Sequence, residues 1–239
     1  MNTLLENLSS DITHFFESKK KSSDVFCNEC DLQLQLARYI CDKPNRYDKV
    51  YLEYFVPGEV LESEIKEKLF VKDNYKSQNL YIDIVVEKDG EFLPIELKYK
   101  TVPLNNDISC LGETVKGLNL LKNHGARDLG AYDFWRDVNR IECLVKHFDN
   151  VKNGIALFLT NDQGYWTLPK KHTNPNYANF SMLPTEMCGV DKSWQGNTAM
   201  SVSRPSFKLE KGYPVKWFPE VDDKAIHSTE NFRYCLLKI

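Results

Sequence analysis

The dipeptide Asp89-Gly90 sits between two runs of alternating apolar and polar residues, Leu80 to Glu87 and Phe92 to Tyr99. Asp-Gly supplies the two left-handed positions of a type I′ turn, whose twist matches that of flanking antiparallel strands, so this stretch is constrained to a β-hairpin. With Asp89 and Gly90 as the loop residues, Lys88 faces Glu91, Val86 faces Leu93, Ile84 faces Ile95 and Ile82 faces Leu97. The last three pairs build one apolar face. A slip of one residue would turn all of them outward, so the register is fixed.

The opposite face has a different character. The same register sets Asp83 directly across from Glu96, and Lys98 shares their face because strand side chains repeat every two residues. Like charges directly opposed on a sheet repel. One explanation is a solvated hairpin face on which Lys98 partly neutralises the pair. The other is a site for a hard divalent cation, which takes oxygen ligands. The flanking sequence Leu93-Pro94-Ile95-Glu96-Leu97-Lys98-Tyr99 is that of a central strand. Carboxylates inside a packed sheet favour the cation, and Glu96 and Lys98 are expected to point into a polar cleft.

The rest of the chain reads as α/β. Leu4, Leu5, Leu8, Ile12, Phe15 and Phe16 recur at helical spacing over residues 3–18. Ser22, Ser23 and Asp24 offer a cap for a second helix over 26–41, with Phe26, Cys30, Leu34, Ala37 and Cys41 along one stripe and Leu32, Leu36 and Tyr39 beside it. Residues 50–56 read as a strand, and 57–70 as a short helix or a loop. Residues 101–122 read as irregular or partly helical. A long helix follows over about 126–148, with Leu129, Tyr132, Trp135 or Arg136, Val138, Ile141, Leu144, Val145 and Phe148 as its buried side. Gly154 to Thr160 suits a strand buried on both faces. Residues 161–215 lack periodic runs, which marks a functional or mobile stretch, and Phe232 to Ile239 ends the chain as a strand. The division expected is a core over 1–160 and an irregular extension with a terminal strand over 161–239, within the same domain.

Asp83-x12-Glu96-Leu97-Lys98, in this order of elements, resembles the PD-(D/E)xK nuclease superfamily over about residues 24–160. Ile82 stands where the family usually has proline. The resemblance implies a restriction endonuclease-like core, a mixed central sheet with the motif on its antiparallel hairpin and helices on either side. It also implies a nuclease that uses Mg²⁺ or Mn²⁺ to hydrolyse phosphodiesters, most readily DNA, leaving a 5′-phosphate and serving defence or repair. Asp83, Glu96, Glu29 and the Leu97 carbonyl would hold the metal, with Lys98 positioning the attacking water. Asp31 is the alternative to Glu29 as the carboxylate from the first core helix, and Glu29 can also be read as a residue that merely favours the positive helix N-terminus. Asp128-Leu129-Gly130-Ala131-Tyr132 has the tyrosine but not the glutamine of the RecB-like subgroup.

Charge limits the substrate contacts. A net charge of -3 excludes a uniformly basic surface, so phosphates must be met by a local patch. The candidates are Lys100, Lys116, Lys122, His124 and Arg127, and then Lys170, Lys171 and His172, with Tyr165 and Trp166 placed to stack on bases. Two other functions stay open: a catalytically silent nuclease-like module that binds DNA or a partner, and a metal-dependent hydrolase of another substrate. A homodimer is compatible with either. The seven cysteines are an odd, scattered set, expected to be reduced thiols in a cytoplasmic protein without disulfides. Cys27-x-x-Cys30 reads as two residues of a helix rather than a zinc or redox pair. No apolar run approaches the ~20 residues of a membrane span, and the first residues lack a signal-peptide pattern.

Overall fold

The protein is described from a computed structural model that covers residues 3–19, 25–69, 79–167, 176–196, 199–219 and 232–239. Its elements in chain order are α1 (Thr3–Lys19), α2 (Glu29–Cys41), β1 (Lys49–Val56), α3 (Ser63–Leu69), β2 (Leu80–Lys88), β3 (Glu91–Lys100), β4 (Asn105–Cys110), β5 (Glu113–Asn119), α4 (Arg127–His147), β6 (Ile155–Thr160), β7 (Asp191–Lys192), α5 (Ala199–Ser203), β8 (Phe207–Lys208), β9 (Trp217–Phe218) and β10 (Arg233–Lys238). Six strands form a mixed sheet in the order β1-β2-β3-β6-β10-β9. β3 and β6 run parallel, joined by a connection that includes α4, and the other neighbours are antiparallel. The expected α/β class with a mixed central sheet flanked by helices is what is found.

The hairpin turns where expected. Asp89 and Gly90 have φ of 51° and 78°, and Lys88–Glu91, Val86–Leu93 and Ile84–Ile95 are partners. One sheet face carries Ile84, Val86, Leu93, Ile95, Leu97, Ile155, Leu157 and Leu159 against the apolar stripes of α1 and α2. The other carries Ala156, Phe158, Cys235 and Leu237 against α4. α4 is buried nearly all round, because residues beyond Asn161 close over it. Phe180, Met182, Trp194, Leu209, Tyr213 and Val215 join Trp135, Val138 and Ile141 in one cluster. Glu142 holds this cover in place by accepting from Tyr213 Oη at 2.8 Å and from the Glu210 amide at 3.0 Å. The irregular stretch of sequence is therefore core-building where it is described.

Several expectations need correction. α2 begins at Glu29, with Asn28 as its cap, so its start is set by Asn28 and not by Ser22 to Asp24, which lie outside the described residues. Its buried face is Leu32, Leu36, Ala37 and Ile40, whereas Cys30, Leu34 and Cys41 are exposed. The face against the sheet is thus the one of Leu32 and Leu36, expected beside the stripe, and only Ala37 of the helical stripe residues is buried. Residues 57–69 take the first of the two expected forms, a short helix, α3, preceded by a 3₁₀ turn at Gly58–Val60. Residues 101–122 hold a second hairpin, β4–β5, turned at Leu111 and Gly112 with φ of 51° and 88°. Every side chain of β5 is exposed, so no core face imposed the alternation that would have revealed a strand. Cys27, Cys30, Cys41, Cys143, Cys188 and Cys235 are free. Among the described residues no helix is long and apolar enough to cross a membrane.

Gly154 shows how closely α4 and the sheet approach. A Cβ there would lie 2.2 Å from Ile141 Cγ2 and 3.1 Å from the Pro94 carbonyl oxygen. Gly154→Ala is expected to cost about 1–3 kcal/mol through overpacking. Chemical denaturation measures it, and an unchanged midpoint would contradict this packing.

Candidate functional site

The regular ladder between β2 and β3 ends at Ile84–Ile95. Beyond it the expected partners Asp83–Glu96 and Ile82–Leu97 are not paired, Ile82 packs with Val85 in a different cluster from Ile84 and Leu97, and side chains take up the β3 amides. Asp83 Oδ2 accepts the Leu97 amide at 2.6 Å, and Glu29 Oε2 accepts the Tyr99 amide at 2.6 Å. The other edge of β2 is disturbed at the same level. Glu53 of β1 takes φ 47°, a conformation costly for a side-chain-bearing residue, and it has no partner in the β1–β2 register. Gln33 of α2 fills the opening, its Nε2 donating to the Asp83 carbonyl at 2.7 Å and to Glu53 Oε1 at 2.8 Å. Asp83 therefore sits at a defect in the sheet, its carbonyl held by Gln33 of α2 and its carboxylate by an amide of β3.

Capping separates Glu29 from Asp31. Asn28 Oδ1 accepts the Asp31 amide, and Asp31 Oδ2 accepts the Cys27 amide, each at 2.9 Å. This reciprocal arrangement uses up Asp31 at the helix start. Glu29, two residues earlier, is left to reach β3. Tyr99 secures the approach, since its hydroxyl donates to the Phe26 carbonyl at 2.6 Å.

On the α4 side Glu96 and Lys98 share a face, as expected, but they do not open into a cleft. Glu96 is only 2% exposed. Its Oε1 lies 2.7 Å from Nη1 of Arg140, and Lys98 Nζ lies 3.0 Å from Oδ2 of Asp137. Asp137 Oδ2 is buried and has no aligned hydrogen-bond donor, so this contact is an ion pair rather than a hydrogen bond. Asp137 Oδ1 is 3.7 Å from the same Arg140 nitrogen. Sequence reasoning missed Gln33, Glu53, Asp137 and Arg140. For the last two a signal existed: Asp133, Asp137 and Arg140 follow at helical spacing on one side of α4.

The charges at this site are frustrated. Burial pushes the Asp83 carboxyl up to about 6; the Leu97 amide opposes the shift, and Asp137 and Glu29 reinforce it. Glu96 is also driven upward, first by burial and then by Asp137 and Asp83, against the opposing pull of Arg140. Burial would lower the Lys98 ammonium, but Asp137 and Glu29 outweigh it and keep the group above the ordinary lysine value. Among the described residues no three His, Cys, Asp or Glu side chains form a ready cage for a metal ion. The donor chemistry nevertheless suits a hard cation. Burial leaves Asp83 and Glu96 short of positive charge, and Mg²⁺ needs only one or two carboxylates because it keeps several waters.

The basic candidates separate. Lys100 ends β3, and Lys122 and His124 stand near it. The His124 Nδ1 accepts the Thr101 amide at 2.9 Å, and burial, with Lys100 and Lys122 adding to it, holds its pKa below the ordinary value. Lys116 is exposed on β5. Arg127 is taken by a two-pronged pair with Asp162, at 2.6 and 2.9 Å. Tyr165 is buried against Phe158 and cannot stack on a base, and Trp166 is partly covered by Trp217. Lys170, Lys171 and His172 lie outside the described residues.

Two measurements check this geometry. Gln33→Leu keeps the volume but leaves the Asp83 carbonyl without its donor, and is expected to destabilise the fold by about 1–3 kcal/mol. For Asp83, the raised carboxyl means that the folded chain keeps a proton that the unfolded chain has lost. Its contribution is complete below 3.8 and disappears as pH rises through about 6. The melting temperature of the metal-free protein should fall across that window, and Asp83→Asn should remove that part of the fall. No family model, curated protein or solved structure matches the chain.

Proposed function

We propose that the chain is a divalent-metal-dependent phosphodiesterase with a restriction endonuclease-like core, acting on DNA. The observation that carries this reading is the convergence of Glu29, Asp83, Glu96 and Lys98, from three elements, on a defect in the sheet. A purely structural hairpin needs neither a broken ladder nor buried like charges, both of which reduce stability.

Asp83, Glu96, the Leu97 carbonyl and Glu29 are the groups that would hold Mg²⁺ or Mn²⁺. The ion would supply a bound water of lowered pKa and charge to offset that of the phosphorane-like transition state. Lys98 would orient the attacking water and meet developing negative charge, while Asp137 keeps its ammonium protonated and aimed. Gln33 holds Asp83 in place from behind. Lys100, Lys122 and His124 follow the site along the chain and are suited to the substrate backbone.

One observation favours a second reading, a catalytically silent module that binds nucleic acid or a partner. Both site cations already have partners, Arg140 with Glu96 and Lys98 with Asp137, so the charges are partly satisfied without metal. The experiment that separates the readings is incubation of the purified protein with linear, circular and single-stranded DNA, with and without Mg²⁺ or Mn²⁺. Cleavage that depends on the metal, and that Asp83→Asn and Lys98→Met each lower on the order of 100-fold without unfolding the chain, is the expected result. Binding without cleavage of any of the three would overturn the enzymatic reading in favour of the second.

A further inference from the structure

Arg140 occupies an unusual place. It projects from α4 onto Glu96, whose side chain is 2% exposed, and its own side chain is 32% exposed. One end of the pair is thus sealed in the core while the other reaches the surface. A carboxylate as deep as Glu96 requires a counter-charge or a proton. Guanidinium cannot lose its proton in a protein, so Arg140 can release Glu96 only by moving away. Its exposed side gives it room to move, whereas Lys98 is held by Asp137, with side-chain exposures of 17% and 8%. The nearby Asp137 Oδ1, at 3.7 Å, gives the guanidinium a second carboxylate to lean on when it leaves the first.

We propose that Arg140 is the resident counter-ion of the Glu96 site, standing in for the divalent cation and competing with it for the Glu96 carboxylate. The inference rests on the metal-dependent reading above and extends it: metal entry and displacement of the Arg140 side chain are one linked exchange. The cation takes over the role of neutralising Glu96, and the guanidinium turns toward the surface. Such an exchange keeps the site folded without metal and weakens the metal's apparent affinity, because each binding event must break an ion pair.

Calorimetric titration of the full chain with Mn²⁺ tests this without reference to cleavage. Arg140→Gln removes the competing charge but keeps a hydrogen-bond donor, and is expected to bind Mn²⁺ about tenfold more tightly or better. Arg140→Lys restores a cation and should bind close to the parent. A second readout needs no variant: modification of Arg140 by phenylglyoxal, followed by mass spectrometry, should be faster in saturating Mn²⁺ than in chelator. Equal or weaker Mn²⁺ binding by Arg140→Gln, or Arg140 modification that is unchanged or slowed by Mn²⁺, would overturn the exchange while leaving a metal site in place. If the parent, Arg140→Gln and Asp83→Asn all fail to bind Mn²⁺, the metal reading itself falls, and the exchange with it.

Discussion

The hydrogen bond from the Leu97 amide to the Asp83 carboxylate is the contact on which the site depends. It replaces a rung of the β2–β3 ladder with a side chain, and so turns a continuous sheet into one with a polar opening. Everything around it follows as compensation. The Asp83 carbonyl turns to Gln33, Glu53 adopts a left-handed backbone to let Gln33 in, and the next free amide of β3 is taken by Glu29. Buried backbone groups must be paired, and here each pairing recruits a residue from a different element. A ladder defect surrounded by supplied partners is a built feature, unlike a frayed strand end.

The second organising term is charge. Glu96 of β3 and Asp137 of α4 are buried, paired with Arg140 and Lys98, and the chain beyond Asn161 closes over most of α4. Ion pairs in such a setting seldom repay their desolvation, and apolar residues would serve stability as well or better. Retaining them on one face, with Asp83 and Glu96 both shifted toward protonation, fits a site that stores a demand for positive charge.

The hairpin was legible because two independent patterns, an Asp-Gly turn and a period-two apolar face, required the same register, which the structure keeps from Lys88–Glu91 to Ile84–Ile95 and breaks at Asp83. Glu29 was legible only as one of two, since the reciprocal cap that commits Asp31 depends on where α2 begins. Asp137 and Arg140 escaped because charged residues on a long helix read as its solvated side, whereas most of α4 is covered. Its outer surface is covered by Phe180, Trp194 and Tyr213, which lie in a stretch without periodicity. The same stretch made Tyr165 look available for stacking, although it fills the core. β4 and β5 left no pattern because β5 buries no side chain, and the local turn at Leu111-Gly112 is their sole marker.

Anomalous diffraction from crystals of the protein soaked in Mn²⁺ would test the central claim most directly. The account predicts a peak about 2.1 Å from carboxylate oxygens of both Asp83 and Glu96, with the Arg140 guanidinium no longer on Glu96. A peak elsewhere on the molecule, or none at saturating Mn²⁺ with the Glu96–Arg140 pair intact, would contradict it.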